Sequence, residues 1–264
     1  MLQFFRRIRK RLLIENQFSR YLLYAFGEIL LVVIGILIAL QINNWNENKK
    51  NHALEKNYLM GLISDLDYDI AAYSLGIEEI EDHRKSADAL LLCYKEQRTL
   101  PEQELIEHMT IVGLISRIGH RNTVMDDMKS AGRLNLIRSD SVRQELIAYH
   151  TLAANTIDNN DRNNDWILTH IIGSRVYAEQ FDFNSTVAAT TRLPDIMKSI
   201  EVNPFEGLPL LNDLDHPDRN SIINLLTAKT WLQGLNKAYA LRGRQGAIAL
   251  KELLEAYLAE LERQ

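Results

Sequence analysis

Few residues in this chain have the types and spacing that chemistry requires, and each has a plainer structural reading beside it. Glu28 stands inside the apolar run YLLYAFGEILLVVIGILIALQINNW, residues 21–45. A charge in such a setting costs on the order of 3 kcal/mol and marks function by default. Glu28 is only one helical turn beyond Tyr24, roughly 6 Å deeper along the axis. Its carboxyl can therefore bend back toward lipid headgroups, take up a proton, or face a neighbouring helix. A proton-carrying role would need a second polar group at membrane depth, which a single span does not supply.

Asp65-Leu66-Asp67-Tyr68-Asp69 has the opening spacing of a calcium loop. Such a loop needs glycine at its sixth position and glutamate at its twelfth, where this chain has Ile70 and Gly76. The aspartates are read instead as a solvated helix face. Asp213-Leu214-Asp215-His216-Pro217-Asp218 sits in a proline-bounded loop where oxygen ligands could converge. Turn and capping roles, with Asp218 as an N-cap, are the alternative. Glu78, Glu79, Glu81 and Asp82 read as exposed surface. The 7 histidines are scattered, with neither a zinc-protease pair nor the Glu-x-x-His pairs of a di-iron bundle. Cys93 is the single cysteine, so no intramolecular disulfide exists, and it reads as a packed thiol. Nucleophile elbows, phosphate loops and dinucleotide fingerprints are absent from the sequence. No catalytic, cofactor-binding or metal-binding residue is assigned, no cofactor is expected, and the chain is read as non-enzymatic.

The elements around these residues are better defined. Tyr21 to Ile42 is apolar over 22 residues, enough for a helix to cross a hydrocarbon core of about 30 Å. A cleaved signal peptide is the rival, but its apolar region is usually about 7–15 residues long and ends in a small-x-small site, which LIALQINN lacks. A retained signal anchor is expected. Tyr21, Tyr24 and Trp45 stand where amphipathic rings favour the membrane interface. Ala25, Glu28, Val32, Gly35 and Ala39 project within an arc of about 80°. Gly35 and Ala39 form a small-xxx-small pair, and this face is the candidate surface for packing against another membrane helix.

Charge is distributed unevenly about that span. Arg6, Arg7, Arg9, Lys10, Arg11 and Arg20 precede it, opposed only by Glu15, whereas 24 basic and 33 acidic residues follow Glu28. A polyanion would meet a repulsive main domain, so nucleic-acid binding is excluded. Six cations before the span against Lys49, Lys50 and Lys56 after it place the N-terminus in the cytoplasm and residues 43–264 across the membrane. Met1, Phe4, Phe5, Ile8 and Leu12 share one sector of a helical wheel. Residues 1–20 are thus either an amphipathic helix in the headgroup layer or a basic tail that sets topology.

The domain after the span reads as all-α. Leu59, Ile63, Leu66, Ile70, Tyr73, Ile77, Ile80, Ala87, Leu91 and Tyr94 alternate steps of four and three, interrupted by Arg84. This is the seam of a long bundle helix, with Gly61 or Gly76 as places to bend. It ends at Thr99-Leu100-Pro101. A second helix is expected from Glu102 to about Ile118, a short one from Thr123 to Ala131 stopped by Gly132, and one opened by a Ser141/Gln144 capping box. Four prolines mark residues 181–218 as irregular. A last helix is expected from near Asp218 to the C-terminus, with Gly243 and Gly246 as possible breaks. Sustained strand alternation is absent.

FFRRIRKRLLIENQFSRYLLYAFGEILLVVIGILIALQINNWNENKK, residues 4–50, resembles the N-terminus of a family of bacterial single-pass membrane proteins of unknown function. The shared features are the basic leader, the tyrosine-rich entry, the Gly-Glu pair and the Ile-Asn-Asn-Trp-Asn exit. MDDMKSAGRLNLIRSDSVRQELIAYH, residues 125–150, looks like the same family's helix, glycine stop and second helix. The resemblance implies topology and helical content, and no activity. The expected protein is a single-pass inner-membrane interaction or scaffold protein, or an accessory subunit, with a periplasmic helical bundle. Its partners are the lipid bilayer and either a second copy or another membrane protein. A ligand-sensing module read by a separate transducer is the alternative, and an envelope hydrolase the third.

Overall fold

The structure, a computed structural model, describes residues 18–172 and 212–263. The expected cytoplasmic segment, including Arg6, Arg7, Arg9, Lys10 and Arg11, lies outside the described residues, as does most of the irregular region 181–218. The described residues are mostly helical and include no strand. Helix α1 is Phe18–Lys95, α2 Glu102–Gly113, α3 Thr123–Ser130, α4 Asp140–Ile167 and α5 Arg219–Arg263. A short 3₁₀ turn, Leu134–Leu136, precedes α4, and a π turn, Leu168–Ile172, follows it. The chain divides into two compact units, residues 1–57 and 58–264.

In the first unit α1 is apolar and bare. Its most apolar window has a mean hydropathy of 2.5, and none of the described residues covers it. Phe26, Leu31 and Ile42 are at least 60% exposed, which in water would leave a long greasy surface uncovered. By length and composition the helix can cross a membrane. Ala25 is half-buried, and Glu28, Gly35 and Ala39 are exposed with the apolar residues around them. Tyr24 is 37% and Trp45 68% exposed, with the Lys49 ammonium 5.7 Å from the Trp45 ring. Tyr21 lies within the helix.

In the second unit α1 continues without a break at Gly61 or Gly76 to Lys95, and α4 packs along α5. Leu90, Leu100, Leu105, Met109, Ile167 and Leu226 belong to an apolar cluster where all the long helices and α2 meet. Cys93 is buried in it, as a packed thiol should be. Gly132, at φ 66°, ends α3 in the left-handed region that its missing Cβ permits.

Several expectations change. The predicted seam of α1 is buried at Leu59, Leu66, Tyr73, Ile80 and Ala87 and half-buried at Ile63, Ile70, Ile77, Leu91 and Tyr94, while the inward face extends to Leu62, Asp69, Gly76, His83 and Leu90, which the seam did not include. Helix α2 stops at Gly113 rather than Ile118, and residues 114–122 are non-helical. Ser139, not Ser141, caps α4, its Oγ accepting from the Val142 N–H at 3.4 Å. Neither Gly243 nor Gly246 breaks α5. Gly243 is where α5 meets Tyr73: a Cβ there would stand 2.5 Å from the tyrosine ring.

Candidate functional site

Residues 114–122 cross the helical unit without a helix or sheet to satisfy their backbone. Buried polar groups in such a stretch require partners, since an unmade hydrogen bond costs on the order of 1–3 kcal/mol. Side chains from three helices supply them. Asp69, 1% exposed, accepts from the Arg121 N–H at 2.7 Å. Asp65 accepts from the Val124 N–H at 3.1 Å, just where α3 begins. Asn164 of α4 donates to the Ser116 carbonyl at 2.8 Å. Lys229 of α5 donates to the carbonyls of Val112 and of Leu114, the latter at 2.8 Å.

The last contact explains why α2 ends where it does. The final carbonyls of a helix have no partner within it and carry the negative end of its dipole. The Lys229 ammonium covers them from the opposite helix. Burial alone pushes this lysine down from 10.5 to about 7.

Two histidine clusters flank the segment. In the first, Asp69 Oδ2 accepts from Tyr149 Oη at 2.6 Å and meets His120 Nδ1 at 2.7 Å. His120 Nε2 in turn lies 3.2 Å from His150 Nδ1. The two rings thus meet nitrogen to nitrogen, and the tautomers decide which one donates. Burial, then the proximity of His120 and Lys129, lowers His150 to about 4. Burial and the Asp69 hydrogen bond and charge raise the Tyr149 hydroxyl, and burial beside Asp69 raises that of Tyr73. In the second cluster His83 Nδ1 meets Ser116 Oγ at 3.1 Å. Burial, then the charge of Lys229, lowers His83 to about 4.

Behind these clusters runs a buried polar layer. Lys229, Gln233 and Asn236 repeat along one face of α5, and Asn160 and Asn164 along one face of α4; all are at most 4% exposed. Asn163 Nδ2 donates to Asn236 Oδ1 at 2.6 Å across the two helices.

The acidic triplet is therefore not a solvated face. Asp65 and Asp69 are buried and bonded to backbone, and only Asp67 is exposed, paired with Lys251 at 2.7 Å. At the other acidic loop, Asp213 Oδ1 accepts from the Asp215 N–H at 3.1 Å and His216 Nδ1 from the Asp218 N–H at 3.1 Å. Those are turn-forming bonds. Among the described residues no group of three or more His, Cys, Asp or Glu side chains is arranged to hold a metal ion. An open groove of about 390 Å³ lies along α4 and α5, lined in part by Thr151, Asn155, Asn159, Tyr239 and Arg242.

Sequence reading did not find the histidine clusters, the buried lysine or the groove. One signal was available: the polar GHRN stretch, residues 119–122, lies between two expected helices and carries a histidine. Residues 28–95 match the model of a family of unknown function, DUF6090. The match begins at Glu28 and takes in the apolar run from there and the rest of α1, leaving residues 4–27 of the first resembling stretch and all of the second, residues 125–150, outside it. No curated protein and no solved structure matches the chain.

Proposed function

We propose that this protein is a single-pass inner-membrane protein of bacteria whose extracytoplasmic helical domain serves as an interaction or scaffold element, or as an accessory subunit of an envelope complex. The observation that carries the reading is the bare apolar length of α1, which water would not tolerate and a bilayer would cover. The cations of residues 6–20 favour a cytoplasmic N-terminus, with residues 43–264 in the periplasm. Ala25, Glu28, Gly35 and Ala39 offer the face on which a second copy or another membrane protein would pack. The buried polar groups favour a structural role over a catalytic one: Asp65, Asp69, Asn164 and Lys229 are each committed to backbone groups of residues 112–124. No enzymatic activity, cofactor or nucleic-acid partner belongs to this proposal.

A reporter fused after Gln264 that is active only outside the cytoplasm tests the topology. Activity there, with the protein retained in membranes after alkaline washing, is the expected result. Activity of a cytoplasm-only reporter at the same position refutes it. Cross-linking in intact membranes then tests the interaction role; monomers alone under several chemistries would count against it. The groove along α4 and α5 favours a second reading, a ligand-sensing module coupled to a separate transducer. Its Arg242, Tyr239 and asparagine lining suits a small polar ligand. Ligand-dependent thermal shifts of the intact protein would support that reading over a scaffold.

A further inference from the structure

The histidine clusters have a property that structural stapling alone does not require. Both bind residues 114–122, and both confront cations across helix boundaries. His83 of α1 touches Ser116 and faces Lys229 of α5 and Asp82 of its own helix. His150 of α4 touches His120 and faces Lys129 and Asp126 of α3 and Asp69 of α1. The carboxylates near them are already engaged. Asp82 pairs with Lys85 at 2.8 Å, Asp126 accepts from Asn122 at 2.7 Å, and Asp69 serves His120, Tyr149 and the Arg121 N–H.

We infer that residues 114–122 form an acid-released clasp: protonating His83 and His150 sets new cations beside Lys229 and beside His120 and Lys129, and the segment detaches while the long helices stay helical. The two histidine rings and Lys229 come from three different helices, and their contacts converge on the one non-helical crossing, so local charge is converted into release of that crossing.

The direction follows from linkage. With the clasp closed each histidine holds a proton only below about pH 4, and once it opens each returns toward its ordinary 6.5. The open form therefore binds protons more readily, and lowering the pH from 6.5 to 4 favours opening by about 80-fold per histidine. The ionic and hydrogen-bonded contacts of α3 and the segment with Asp65 and Asp69 oppose this, which sets the transition inside that window rather than at its upper edge. This inference does not depend on the compartment or partner proposed above.

The test uses the full chain in detergent micelles with a spin label at Arg117→Cys, an exposed position on the segment, in a Cys93→Ala background. Label mobility is followed from pH 7.5 to 4 beside far-ultraviolet circular dichroism. The expected result is a cooperative rise in mobility coupled to about two protons, with helical signal retained. His83→Gln and His150→Asn each reduce the coupling to about one proton, and the double variant abolishes the rise. Constant mobility to pH 4, the same transition in the double variant, or loss of helix at the same midpoint would each overturn the clasp. If the double variant does not fold, an undiminished proton count in both single variants overturns it equally.

Discussion

Lys229 makes the stability of the helical unit rise with pH where most proteins are flat or declining. Its folded pKa of about 7 lies well below the 10.5 of an exposed lysine. Between those values the unfolded chain binds a proton that the folded one does not, so stability climbs by up to about 1.4 kcal/mol per pH unit. Summed from pH 7 to 10, the gain approaches about 4 kcal/mol, or on the order of 10 °C in melting temperature for a unit of this size. Above pH 10 the sign reverses. Tyr73 and Tyr149 stay protonated in the fold because burial raises both, while their unfolded counterparts ionise near 10. The stability curve should therefore crest near pH 10. Thermal melts of the intact protein in detergent, followed at 222 nm in steps of half a pH unit, would trace it. Lys229→Met removes the rising limb and leaves the fall above pH 10. At neutral pH the variant loses the donor to the Val112 and Leu114 carbonyls but also the buried charge, two effects of similar size and opposite sign. The comparison that decides is therefore slope, not absolute stability. Parallel curves for wild type and Lys229→Met between pH 7 and 10 would refute the reasoning.

Two further predictions probe contacts that sequence alone does not show. Gly243→Ala should destabilise by about 2 kcal/mol despite the better helix propensity of alanine, because the new methyl meets the Tyr73 ring at 2.5–2.7 Å; chemical denaturation reads this, and an unchanged midpoint would contradict the close approach. Asp69→Asn should cost at least about 2 kcal/mol by disturbing three hydrogen bonds at once, whereas Asp67→Asn, which loses an exposed pair with Lys251, should cost about 0.5 kcal/mol or less. Equal melting temperatures for the two aspartate variants would refute the assignment of Asp69 as buried.

The helices were legible because apolar spacing and punctuation agree along most of the chain. The apolar run of α1, the stop at Gly132 and the start of α5 at Arg219 all follow from local residue types. The candidate clusters were not legible, for a reason visible in α1 itself. A reading that places apolar residues inward finds Leu59, Leu66, Tyr73, Ile80 and Ala87, all buried, and with them Ile63, Ile70 and Ile77, which are only half-buried. The inward positions it misses, Asp69, Gly76 and His83, are polar or lack a side chain. They face inward because a non-helical segment passes over them and needs partners, a tertiary fact that no window of the sequence contains. The same holds on α5, where Lys229, Gln233 and Asn236 interrupt an apolar pattern that resumes at Ala240 and Leu250.

That polar stripe has a consequence for how uniquely the helices can assemble. Leucine against leucine tolerates sliding by a turn, since one greasy contact replaces another. An ammonium that must find two particular carbonyls, and asparagines that must find each other, tolerate a single alignment. Filling the stripe with leucines would be expected to raise the melting temperature of the bundle while blurring which alignment it adopts. Such a variant should show broadened methyl resonances where the natural chain gives one sharp set.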